Sequence, residues 1–198
     1  MSTKTSMTSL VARVVLALAL VLPAGLAGAD DAPEAGKVAR PKTTTVTEKG
    51  DVNGDGKGDV WNYYEETSDP ADPGKPICIL KKKEADLNFD GRKDITLTYD
   101  PDGTLVLEEA DLDFDGKVDE DVVYKKGILV EKHVYQTGGD RIFIWKYYEE
   151  GKLARLERDE NDDGKSDYCE LWYLGEKLSK KGWDKDRDGK CDYWENAH

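Results

Sequence analysis

Histidine and cysteine are scarce in this 198-residue chain and basic residues are outnumbered by acidic ones, and each of these removes a class of function. There are two histidines, His133 in a strand-like segment and His198 at the end. Neither belongs to a G-x-S-x-G, H-E-x-x-H or phosphate-loop pattern, so the sequence carries no recognisable enzymatic machinery. A hydrolase, or the accessory subunit of one, is accordingly the least favoured class. The three cysteines, Cys78, Cys169 and Cys191, show no C-x-x-C spacing, which argues against a zinc or redox site. Their odd number leaves at least one thiol without an intrachain partner, and the spacing does not say which pair forms. Lys and Arg number 29 against 42 Asp and Glu. A balance of this sign repels nucleic-acid phosphates and offers no polybasic membrane anchor.

Long apolar runs are confined to the N-terminus. Lys4 and Arg13 precede "VVLALALVLPAGLAGA", and Ala27-Gly28-Ala29 forms an A-x-A site before Asp30. This is the pattern of a Sec-type signal peptide spanning 1–29, cleaved after Ala29. The expected mature chain is secreted or periplasmic and has no membrane span. Its charge is 27 basic minus 42 acidic residues, or −15. Residues 30–50, "DDAPEAGKVARPKTTTVTEKG", lack periodicity and read as a flexible leader.

From residue 51 onward the dominant feature is a recurring motif. "DVNGDGKGD" (51–59) returns as "DLNFDGRKD" (86–94), "DLDFDGKVD" (111–119), "DENDDGKSD" (159–167) and "DKDRDGKCD" (184–192). The start-to-start spacings are 35, 25, 48 and 25 residues. They resolve into units of 24 or 25, with "TSDPADPGKP" (67–76) as an insertion. The spacing of 48 demands a further copy. "WKYYEEGKL" (145–153) aligns with "DVVYKKGIL" (121–129), so the missing loop is "YQTGGDRIF" (135–143), which has lost nearly all its carboxylates. Six units over 51–198, five of them with an acidic loop, are therefore expected, with the degenerate unit at about 135–158.

Between loops stand aromatic and β-branched segments such as "VWNYYEE" (60–66), "ITLTYD" (95–100) and "YCELWYL" (168–174). Turns such as "KKGI" (125–128) and "EEGK" (149–152) follow them. These predict strand, turn, strand. The fold class is all-β: a tandem β-hairpin array, open sheet or solenoid-like, with loops along one edge.

Each loop places oxygen donors where a hard cation needs them. The candidate ligands of the first are Asp51, Asn53, Asp55, the Lys57 carbonyl and Asp59. The second offers Asp86, Asn88, Asp90, the Arg92 carbonyl and Asp94. The third has Asp111, Asp113, Asp115, the Lys117 carbonyl and Asp119. The fourth has Asp159, Asn161, Asp163, the Lys165 carbonyl and Asp167, with Glu170 at position 12. The last has Asp184, Asp186, Asp188, the Lys190 carbonyl and Asp192, with Glu195 at position 12. A glycine at position 6 allows the sharp turn. The basic side chain at position 7 is expected to point outward, offsetting charge without entering the cluster. Calcium is preferred over magnesium, which retains waters. Five ions would bring −15 to −5. At ten times the dissociation constant each site contributes RT ln 11, about 1.4 kcal/mol. Five together give about 7 kcal/mol, comparable with the net stability of a domain.

The D-x-[DN]-x-D-G core resembles the loops of EF-hand proteins, dockerins and thrombospondin type 3 repeats. That resemblance implies calcium. Extracellular modules bind it at about 10⁻⁴–10⁻³ M, which suits a structural rather than a signalling role, and a structural or adhesive module of the cell envelope is the expectation. The flanks depart from EF-hands and dockerins: strands replace the following helix, and Asn62, Leu97 and Val122 stand at position 12 of the first three loops. "WNYY" (61–64), "WKYY" (145–148) and "LWYL" (171–174) are similar to the aromatic hairpins of cell-wall-binding repeats. That likeness implies a glycan-binding face built from Trp61, Tyr63, Trp145, Tyr147 and Trp172. Read from composition alone, the same rings fill a thin core.

Overall fold

The computed structural model describes residues 44–139 and 141–197. The expected signal peptide and residues 30–43 lie outside this range. Twelve antiparallel strands form one open sheet in strictly sequential order, and among the described residues there is no helix. The strands are β1 (Thr44–Gly50), β2 (Val60–Ser68), β3 (Pro76–Ala85), β4 (Ile95–Tyr99), β5 (Leu105–Ala110) and β6 (Glu120–Lys125). They continue with β7 (Ile128–Tyr135), β8 (Ile142–Glu149), β9 (Lys152–Arg158), β10 (Tyr168–Tyr173), β11 (Lys177–Trp183) and β12 (Tyr193–Asn196).

One expectation needs correcting. Thr44–Gly50, placed in the leader, forms β1 and pairs along its whole length with β2, from Gly50↔Val60 to Thr44↔Glu66. "TTVTE" is rich in β-branched residues, which suit a pleated edge even without alternation.

Loop position follows from meander topology. In an antiparallel meander, alternate connections fall at the same end of the strands. The acidic loops join β1 to β2, β3 to β4, β5 to β6, β9 to β10 and β11 to β12, and residues 136–141 join β7 to β8. All six therefore lie at one end of the sheet. The hairpin turns occupy the other end. At three of them, Lys126-Gly127, Glu150-Gly151 and Leu174-Gly175, both central residues have positive φ, matching the right-handed strand twist. The proline-rich insertion lengthens one hairpin, carrying the β2–β3 pairing out to Ser68↔Pro76.

The sheet has no second layer among the described residues, and its core is correspondingly thin. Among the described residues only Val60, Ala85, Ile95, Leu97, Ala110, Val122, Tyr168 and Cys169 are buried apolar residues. The register places all but Cys169 on one face, in a row running Val60, Ala85, Ile95, Ala110 near the loops and a parallel row through Leu97 and Val122. Further from the loops the same face carries an aromatic–leucine ladder. Tyr64 pairs with Leu80, Tyr99 with Leu105, Tyr124 with Leu129, Tyr148 with Leu153 and Trp172 with Leu178. A register shift precedes each of these aromatic residues. Cross-strand aromatic–aliphatic pairs of this kind contribute about 0.2–1 kcal/mol each.

The opposite face is held by amphipathic side chains. Lys82 stacks over Tyr63 at 4.5 Å, Lys93 over Trp61 at 4.7 Å and Arg155 over Tyr147 at 4.3 Å. Tyr63 donates to Glu84 at 2.6 Å, which with burial pushes the phenol up to about 12. Cys169 and Cys191 form a disulfide, and Cys78 is an exposed thiol on β3.

Candidate metal centres

The five acidic loops adopt one hydrogen-bond pattern, dictated by short side chains that bond to nearby backbone amides. The position-1 carboxylates of Asp51, Asp86, Asp111, Asp159 and Asp184 accept from the position-6 glycine N–H at 2.7–2.8 Å. Asn53, Asn88, Asp113, Asn161 and Asp186 accept from the position-5 N–H at 2.8–3.2 Å. Asp55, Asp90, Asp115, Asp163 and Asp188 accept from the position-7 N–H at 2.8–2.9 Å. Asp59, Asp94, Asp119, Asp167 and Asp192 close each loop by accepting from the position-2 N–H at 2.6–3.0 Å. Each loop is thus curled round its own carboxylates.

Position 6 has the positive φ expected of its glycine, from 84° at Gly164 to 93° at Gly91 and Gly116. Position 4 has it too. Gly54 (80°) is joined there by Phe89, Phe114, Asp162 and Arg187 at 64–65°. Only the first loop's glycine hinted at this in the sequence, because side chains rarely adopt that conformation.

The arrangement gathers carboxylates into compact groups. In the third loop Asp111, Asp113 and Asp115, and in the last Asp184, Asp186 and Asp188, each offer an oxygen, all within 4.8 Å of one another. Both sets could hold a metal ion. The other three loops carry Asn53, Asn88 or Asn161 at position 3, so an amide oxygen replaces one carboxylate.

Several of these aspartates are buried, with Asp59 and Asp94 3% exposed and Asp86, Asp111 and Asp159 4%. Burial raises the Asp94 carboxyl, with the Asp86 and Asp111 charges adding to it against the hydrogen bonds from Leu87 and Asn88. Asp111 Oδ1 is buried with no hydrogen-bond partner among the described residues. A buried carboxylate oxygen without a donor is costly unless a cation neutralises it.

Position 12 lies outside this geometry. Glu170 sits within β10, where its carboxylate accepts from Tyr168 at 2.9 Å and Trp172 at 3.0 Å. Glu195 sits in β12 and accepts from Tyr193 at 2.8 Å. Position 12 is three residues beyond the last aspartate of the loop, about 10 Å of strand rise, and neither acid joins the carboxylate groups found among the described residues.

The position-7 side chains depart from the sequence reading most clearly. Two of them, Arg92 and Lys165, reach sideways to the next loop instead of pointing outward. Arg92 donates to the carbonyls of Phe114 (3.1 Å) and Asp115 (3.2 Å). Lys165 donates to the Arg187 carbonyl at 3.0 Å. Arg92 also grips Asp90 Oδ2 through Nη2 (2.6 Å) and Nε (3.0 Å), which holds that carboxyl at about 2.

The acid-poor segment at 135–143 keeps the bonds to its neighbours without the acids. The Tyr135 N–H donates to the Asp119 carbonyl at 2.7 Å, and the Asp159 N–H to the Phe143 carbonyl at 3.0 Å. These replicate the bonds by which Asp86 meets Asp59, Asp111 meets Asp94 and Asp184 meets Asp167. Arg141, at its position 7, donates to the Asp162 carbonyl at 2.6 Å. The Tyr135 side chain turns to the sheet and donates to Asp121, which also binds His133 at 2.7 Å.

The aromatic residues assigned to a glycan face are divided. Trp61, Tyr63, Trp145 and Tyr147 share one face, but Trp172 lies on the other beside Glu170. Trp61 and Trp145 stand six strands apart, about 29 Å at the usual strand spacing. All five are half-buried.

No protein-family model matches this chain, and no curated protein shows significant similarity to it. Fold and site together define an all-β single-sheet protein with aspartate groups that could hold metal ions.

Proposed function

We propose that this is a secreted or periplasmic calcium-binding repeat protein, ordered by about five Ca²⁺ and serving as a structural, adhesive or protein-interaction module of the cell envelope. The observation that carries the reading is the third loop, where three carboxylates converge and Asp111 Oδ1 is buried without a donor. A hard divalent cation supplies both the missing partner and the missing charge. Asp111, Asp113, Asp115 and Asp119 would hold it there, and the corresponding residues would do so in the other four loops. The Cys169–Cys191 disulfide fits an oxidising compartment. A sheet without a second layer exposes two broad faces, which suits a spacer or docking element better than a pocket enzyme.

Calorimetric titration of the mature chain with calcium tests the reading. About five sites are expected, with tryptophan fluorescence shifting between chelator and calcium. Fewer than three sites, or fluorescence indifferent to calcium, would sink it.

A further inference from the structure

We infer that the basic residues Arg92 and Lys165 at position 7 couple their metal loops to the neighbouring ones, making cation binding cooperative within each pair. This rests on the calcium reading above and specifies how its sites are regulated. The contact recurs between different pairs of loops. Arg92 joins the loop at 86–94 to the carbonyls of Phe114 and Asp115, and Lys165 joins 159–167 to the Arg187 carbonyl. Arg141 joins the acid-poor segment to the Asp162 carbonyl. In each case a position-4 carbonyl accepts, the one preceding the position-5 ligand. Lys117 lies against the following segment too, so close that a Cβ on Gly139 would sit 2.7 Å from the lysine Cβ.

Arg92 shows how the coupling works. Its guanidinium is bound at one end to Asp90, a ligand of its own loop, and at the other to the backbone flanking Asp115, a ligand of the next. A cation that fixes Asp90 fixes the guanidinium. The guanidinium then holds the Phe114–Asp115 carbonyls, and the second cation meets a loop whose ordering cost has already been met. A lysine with one donor group makes the same link at Lys165, so charge and reach matter more than the fork.

The test is an amide-resolved NMR titration with calcium, following the Gly116 N–H, which reports its own loop through the bond to Asp111. Removing the neighbouring site with Asp86→Asn is expected to weaken calcium at Gly116 about five-fold. In an Arg92→Ala background the same substitution should leave Gly116 unchanged. Arg92→Lys should restore the dependence, as Lys165 predicts, and guards against a merely disrupted alanine variant. An Asp86→Asn effect equal with and without Arg92, or absent from the wild-type chain, overturns the coupling while calcium binding stands. Loop glycines that ignore calcium altogether overturn the calcium reading itself.

Discussion

The loop at 111–119 and the segment at 135–143 make the same kind of connection with different chemistry. Both span nine residues, both join an odd strand to the following even one, and both take part in the backbone bonds that run from loop to loop. One does so with four aspartates, of which Asp111 is buried and incompletely bonded. The other uses Tyr135, Thr137, Gly139 and Phe143, with turn bonds from Gln136 N–H to the Arg141 carbonyl and from Gly139 N–H to the Gln136 carbonyl. The sheet therefore does not need carboxylates to turn at this end. Their presence in five loops is a cost to the folded chain that a cation, if bound as proposed, would offset.

The comparison can be broken from several sides. The largest effect should come from the disulfide, which anchors the final acidic loop by linking its Cys191 to Cys169 in β10, 22 residues apart. Cys169→Ala with Cys191→Ala is expected to lower stability by about 3 kcal/mol in chemical denaturation. Calcium binding should be lost at 184–192 and weakened at the coupled loop 159–167, leaving 111–119 intact. A loss spread evenly over all loops would show that the staple supports the whole sheet.

Rebuilding the acid-poor segment should have the next largest effect. Tyr135→Asp, Thr137→Asp, Asp140→Gly and Phe143→Asp together restore most of the motif while sparing Gly139, where a Cβ would meet the Lys117 side chain at 2.7 Å. One additional calcium should appear in calorimetry, contributing about 1.4 kcal/mol at ten times its dissociation constant. Unchanged stoichiometry would mean that spacing and acids do not suffice.

Asp111→Asn acts in the opposite direction. Without metal it should stabilise the chain by about 1 kcal/mol, because an unpaired buried charge is removed. In saturating calcium it should destabilise relative to wild type and delete one site. A variant less stable under both conditions would argue that Asp111 is structural only.

The smallest effect is a pH dependence that ignores the loops. Hydrogen bonding to Glu84 with burial raises Tyr63, and burial with neighbouring acids raises Tyr124, Tyr135 and Tyr168, each to about 12. Raised phenol pKa values favour the neutral form in the folded state. The stability they give is complete below the ordinary value of about 10 and is lost as pH rises to about 12. Phenolate absorbance of the folded chain in calcium should show the delayed titration. A midpoint near 10 for all tyrosines would remove the effect.

Much of this was legible in residue order. The fivefold D-x-[DN]-x-D-G pattern identifies the candidate ligands, and period counting finds Tyr135–Phe143 as the altered member. Strand propensity with Lys-Gly and Glu-Gly turns predicts hairpins, because these signals are local and each residue carries its own. Other features needed partners distant in sequence. β1 was hidden because an edge strand that is polar on both sides shows no alternation. Glu170 and Glu195 looked like ligands by counting, yet strand geometry carries them to tyrosines. The direction of the position-7 side chains depends on what lies one loop away. Sequence alone determined the chemistry of the loops, since side-chain oxygens and glycine at fixed spacing act within nine residues. Tertiary structure alone decided that six connections line one end of a single sheet and that Arg92, Arg141 and Lys165 join them. Strand register sets which loops are neighbours, and register is a property of pairing across the sheet rather than of any one segment.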